Sequence, residues 1–114
     1  MSKRTEQVSQ LIQNQLGEII SREIELPEGS FITITRVEIS PDLKNANVWI
    51  SILPTGMRGT VLEVLRKNMG GLRKALGQRL TMRSTPKIFF RVDVTEEEAG
   101  EIEKILDEIK ANQK

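Results

Sequence analysis

The 114-residue chain contains no cysteine, no histidine and no tyrosine. Without cysteine, disulfides and thiolate metal sites are excluded. Without histidine or tyrosine the commonest metal ligand and the commonest general base are gone. No nucleophile–base pair can be assembled from what remains, and Asp93 and the glutamates that follow it have no readable second partner. The expectation is a protein that is not an enzyme and carries no cofactor. Aromatics are scarce, one Trp and three Phe, so little surface is available for stacking on nucleic-acid bases. No apolar run approaches the roughly 20 residues of a membrane span. The stretch Met1-Ser2-Lys3-Arg4-Thr5-Glu6 lacks the apolar core of a signal peptide. Together these absences predict a cytoplasmic protein with no membrane contact. The length suits one domain, residues 1–114, with a modest core.

What is present is a segregated charge. The net +1 conceals nine Lys or Arg and a single acid, Glu63, between Arg58 and Arg91. Residues 1–30 carry three bases and five acids, and residues 92–114 carry three bases and eight acids. Fields act within a Debye length of about 10 Å at 0.1 M salt, so the local block matters more than the total. Its centre is Arg66-Lys67-Asn68-Met69-Gly70-Gly71-Leu72-Arg73-Lys74. The pattern reads as two helical pieces meeting at a glycine joint, over residues 60–82. Val61, Leu62, Val64, Leu65 and Met69 form one apolar stripe; Leu72, Ala75, Leu76 and Leu80 form a second. Glycine inside a helix costs about 1 kcal/mol relative to alanine. Two in succession imply a bend, or the close approach of another molecule.

The rest of the chain alternates cleanly. Val8, Leu11, Ile12, Leu16, Ile19 and Ile20 predict a helix over 4–24, with Gly17 as its weak point. Residues 31–39 and 46–52 alternate as two strands of an antiparallel hairpin. Asp42, in the turn Ser40-Pro41-Asp42, reads as a turn residue bonded to its own backbone rather than a metal ligand. Trp49 falls on the opposite strand face from Val48 and Ile50, as an aromatic cover for the outer face; base stacking is the rival role. Gly56-Met57-Arg58-Gly59 matches the GxxG pattern of KH domains, but it follows a strand where that loop joins two helices. Pro86 ends the basic helices, and Ile88, Phe90, Val92 and Val94 predict a third strand. Thr95 with Glu98 forms a capping box. It opens a fourth helix with Ala99, Ile102, Ile105, Leu106 and Ile109 on one face. The order predicts an α+β domain: a three-stranded sheet packed on one face by helices. The pairing partner of the third strand does not follow from pattern.

The sequence resembles the ribosome-binding factor A family. The resemblance is carried by Val37-Glu38-Ile39-Ser40-Pro41-Asp42-Leu43 with Ala46 and Val48. It continues in Leu72-Arg73, Leu80, Arg83, Pro86, Ile88, Phe90 and Asp93, and covers about residues 4 to 110. It implies a type II KH-like fold in which a helix-kink-helix replaces the GxxG loop, with a C-terminal helix. The family has an Ala-x-Gly at the bend; this chain has Asn68-Met69-Gly70. The resemblance further implies binding to the small ribosomal subunit and its 16S rRNA late in assembly, to assist rRNA maturation, including in the cold. It implies no catalysis, and release with the help of a ribosome-associated GTPase.

The expected RNA-binding residues are therefore Arg66, Lys67, Asn68, Met69, Gly70, Gly71, Arg73, Lys74, Arg79 and Arg83. Ordinary solvated helices intersperse acids with bases, yet no acid lies between Val64 and Val92. Lys67 with Lys74 and Arg79 with Arg83 repel mildly, so something outside the chain must favour them. Two other readings use the same features: a KH-type DNA or messenger-RNA binder acting off the ribosome, and a protein-interaction module using the acidic last helix. With no obvious exposed apolar seam, a monomer is expected.

Overall fold

The computed structural model describes residues 3–94. The expected C-terminal helix and its Thr95 capping box lie outside the described residues. The described elements are α1 (Lys3–Glu23), β1 (Phe31–Ile39), β2 (Asn45–Leu53), α2 (Arg58–Lys67), α3 (Met69–Arg79) and β3 (Lys87–Val92).

The sheet order is β1-β2-β3. β1 pairs antiparallel with β2, as a short connection requires, and Val37 lies opposite Val48. β3 pairs parallel with β2, with Ala46 opposite Ile88 and Ile50 opposite Val92. That pairing answers the question the sequence left open. A parallel neighbour needs a crossover, and α2 and α3 supply it. Alternation along β2 drives Ala46, Val48, Ile50 and Ile52 into full burial. Against them pack Ile12, Leu16, Ile19 and Ile20 of α1, Val61 and Leu65 of α2, and Leu72 and Leu76 of α3. Each such side chain contributes about 1.5–3 kcal/mol of burial. The helices thus occupy one face of the sheet, and the other face carries Asn47, Trp49 and Ser51.

α1 runs unbroken through Gly17, where an added Cβ would meet only Ile34 Cδ1 at 3.9 Å. Its one-sided burial against β1 and α3 outweighs the local cost of glycine. Gly77 is different: an added Cβ there would collide with Thr85 Oγ1. The segment leading to β3 therefore lies directly on α3. The hairpin turn is closed by side chains. Ser40 Oγ donates to Asp42 Oδ1 at 2.5 Å, and the Lys44 amide donates to the same oxygen at 3.0 Å. Those bonds hold the Asp42 carboxyl below its usual value, the Ser40 hydroxyl having the larger effect. Asp42 is a turn residue, as its sequence context implied. Leu43 takes a left-handed conformation at φ 62° and still packs on the core.

Candidate nucleic-acid interface

The break between α2 and α3 falls at Asn68, one residue before Met69 and not at the glycines. Gly70 and Gly71 lie in the first turn of α3. Asn68 has φ −98° and ψ 7°, a conformation that stops α2 without left-handed strain. Two bonds hold it. Its backbone amide donates to the Val64 carbonyl at 3.1 Å, and its side-chain Nδ2 donates to the same oxygen at 2.8 Å. The Leu72 amide then donates to the Asn68 carbonyl at 2.9 Å and starts α3. Asparagine supplies its own cap here, as its side chain does in turns.

The two glycines are exposed, and a Cβ built on either meets nothing within 4 Å. No described part of the fold needs their smallness. Beside them Gly70, Arg73, Lys74 and Thr85 line one open depression of about 350 Å³. Arg73 and Lys74 are exposed. Arg73 Nη2 donates to the Thr85 carbonyl at 2.9 Å, which fixes that guanidinium at the rim. The α3 N-terminus adds the positive end of a helix dipole on the same side of the break.

Adjoining the break, a groove of about 300 Å³ runs along β3, lined by Leu62, Arg66, Met69, Ile88, Phe89, Phe90 and Arg91. Its floor is apolar and each side carries a guanidinium. Met69 is half-buried and packs on the core, so it serves the groove floor and not the exposed joint. Arg66 is paired with Glu63, Nη2 to Oε1 at 2.5 Å. The hydrogen bond from Arg66 also holds the Glu63 carboxyl below its usual value. The one acid of the block therefore orients a cation on the groove wall.

The remaining cations separate. Lys67 and Arg83 are exposed, the latter in the turn after α3. Arg79 turns towards α1: its Nη1 lies 3.2 Å from Gln15 Oε1 and 3.4 Å from Glu18 Oε1. It joins two helices, and that is the reason its charge does not face the depression. Arg58, the first cation of the basic block, is buried at 4 % exposure and belongs to the interior. The segment Gly56-Met57-Arg58-Gly59 forms a short turn entering α2 and no loop between two α-helices. Thr85, Phe89 and Arg91 were not singled out from the sequence. Thr85 carried only the signal of a residue before proline, Phe89 only that of the solvent side of a strand, and Arg91 that together with its place at the end of the basic block.

The family profile for ribosome-binding factor A matches residues 4–106. The chain belongs to the ribosome-binding factor A family. It is 32% identical to ribosome-binding factor A of Akkermansia muciniphila over 112 residues, covering 98% of this chain and 89% of that one. It is 32% identical to that of Desulforamulus reducens over 114 residues, 99% and 95% of the two chains. A solution structure of a Thermotoga maritima protein bearing the family name superposes with a TM-score of 0.68 at 28% identity, over 84% of this chain and 93% of that one. A homology model of Thermus thermophilus ribosome-binding factor A, fitted into a cryo-EM map of its complex with the 30S subunit, gives 0.61 at 24% identity, over 71% and 86% of the chains. At that identity the likeness is one of fold. The α+β architecture is shared with these structures.

Proposed function

We propose that the protein binds the small ribosomal subunit through its 16S rRNA, with the α2–α3 joint as the contact surface. The observation that carries this reading is the depression at Gly70. Two exposed cations, Arg73 and Lys74, meet the open Gly70 there, and no acid lies among the described residues lining it. Phosphate contacts position a protein on RNA, and a surface without side-chain bulk lets a sugar-phosphate strand approach the backbone. The apolar, guanidinium-walled groove beside it extends the same surface.

Membership of the family supports the finer reading. The protein acts late in subunit assembly in the cytoplasm, assists rRNA maturation, contributes to growth in the cold and is released with the help of a ribosome-associated GTPase. It works as a single chain and without catalysis. Among the described residues no helix is long and apolar enough to cross a membrane.

Sedimentation of cell extract tests the proposal. The protein is expected to travel with free small subunits, and Arg73→Glu with Lys74→Glu is expected to release it. Wild-type protein found only away from subunits, on messenger RNA or DNA, would favour the off-ribosome reading instead.

A further inference from the structure

The face of the sheet away from α1, α2 and α3 carries a second arrangement of aromatic and planar cationic groups. The register sets Arg36 of β1 and Arg91 of β3 on either side of Trp49, and Glu38 and Phe89 on either side of Asn47. Two adjacent rows, Arg36–Trp49–Arg91 and Glu38–Asn47–Phe89, therefore cross all three strands. The Arg36 Cζ lies 4.0 Å from the centroid of the Trp49 ring. Glu38 steadies that guanidinium, with Oε1 3.4 Å from Nε, and the Arg36 side chain is still 56% exposed. Arg91 Nε donates to Asn47 Oδ1 at 3.3 Å. Phe89 is 43% exposed on the same face. Asp93, the acid at the end of the face, accepts a bond from Thr35 Oγ1 at 2.7 Å.

A single exposed phenylalanine on a sheet is ordinary. Its neighbours make this one different. Strand spacing and residue rise set Phe89 and Trp49 diagonally, with Cα atoms on the order of 8 Å apart. A guanidinium already lies on the indole and presents its outer plane to solvent. Unpaired bases stack on aromatic rings and on arginine planes, and amide groups read their edges. A duplex buries its base faces and cannot use such a surface. An acidic peptide would use the charges of Arg36 and Arg91 but not the planes.

We propose that this sheet face is a second RNA-binding surface, taking unpaired bases of single-stranded RNA. One base stacks on the outer plane of Arg36, lengthening the Trp49–Arg36 stack. Another lies on Phe89, and Arg91 meets the phosphate between them. Arg36 and Trp49 lie on the opposite side of the sheet from α1, α2 and α3, and the edge-strand residues Phe89 and Arg91 also line the groove beside α2. None of the four lines the depression that holds Arg73 and Lys74.

Trp49 is the sole tryptophan, so its fluorescence reports this face in the full chain. The titrants are a ten-nucleotide single-stranded oligoribonucleotide, the same sequence as a duplex, and poly-L-glutamate, with anisotropy of end-labelled RNA read in parallel. Saturable change in Trp49 emission is expected with the single strand alone. Phe89→Leu and Arg36→Lys, which keep hydrophobicity and charge but remove a plane, are each expected to weaken that titration about fivefold or more. Arg73→Glu with Lys74→Glu should leave its midpoint within about twofold. Circular dichroism confirms that each variant is folded. The proposal is overturned if the single strand does not alter Trp49 emission, or if duplex or poly-L-glutamate alters it equally. It is also overturned if both plane-removing variants titrate as wild type, or if the helix variant abolishes the signal.

Discussion

Gly70 and Gly71 occupy the first turn of α3, where alanine would be accepted without contact inside the fold. Helix propensity alone makes each glycine unfavourable, by about 0.5 kcal/mol or more. Replacing both with alanine is therefore expected to raise thermal stability while lowering affinity for the small subunit. Calorimetry and a subunit-binding assay on the same variant check both halves. A stabilised variant that binds normally would mean that RNA does not come close to this backbone. Arg79 belongs to the other class of cation. It bonds to Gln15 and Glu18 across the α1–α3 contact with its side chain 29% exposed. Arg79→Ala should cost about 0.5–1 kcal/mol in denaturant unfolding. Arg83→Ala, in an exposed turn, should stay within about 0.5 kcal/mol.

The elements themselves were largely legible. α1, β1 and β2 match the expected spans within a residue or two because their apolar periods are uninterrupted and each buries one face. The break falls at Asn68, the first residue of the Asn68-Met69-Gly70 bend that the resemblance implies and two before the glycines that composition points to. Glycine in a first turn does not stop a helix; Asn68 leaves the helical region at ψ 7°, and its side-chain amide donates to the Val64 carbonyl, a bond that leaves no periodic signal. The partner of β3 was illegible for a related reason: parallel pairing is set by the length and path of α2 and α3, not by anything in β3. Among the cations, sequence gave the charge but not the direction. Arg79 faces α1 and Arg58 the interior because helical phase relative to the core decides each. The β1–β2 turn supplies a pH test. Asp42, exposed and bonded to Ser40, has its carboxyl held below the usual value, so its ionised form favours the folded state. That contribution is complete above the unfolded aspartate value of about 4 and is lost as pH falls through the lowered folded value. The melting-temperature gap between wild type and Asp42→Asn should be largest near neutrality and close below about pH 4. A gap unchanged by pH would mean that the carboxylate charge does not hold the turn.

At the level of the whole molecule, the sheet divides the protein into two unlike surfaces. Among the described residues, one side carries α1, α2, α3 and a cationic joint left open by glycine; the other carries a guanidinium-covered indole and an exposed phenylalanine. The fold holds the joint rigidly enough to present Arg73 and Lys74 together, since Thr85 anchors Arg73 and Gly77 lets the following segment lie close on α3. Electrostatic docking of this kind releases counterions, so affinity should fall steeply with salt in proportion to the phosphates contacted. The most direct measurement is the affinity for purified small subunits as a function of salt concentration, for wild type and for Arg73→Gln with Lys74→Gln. The account predicts weaker binding by the variant and a log–log slope shallower by about one for each lost contact, roughly two in all. A variant with the wild-type slope and affinity would contradict it, and would place the RNA elsewhere on the molecule.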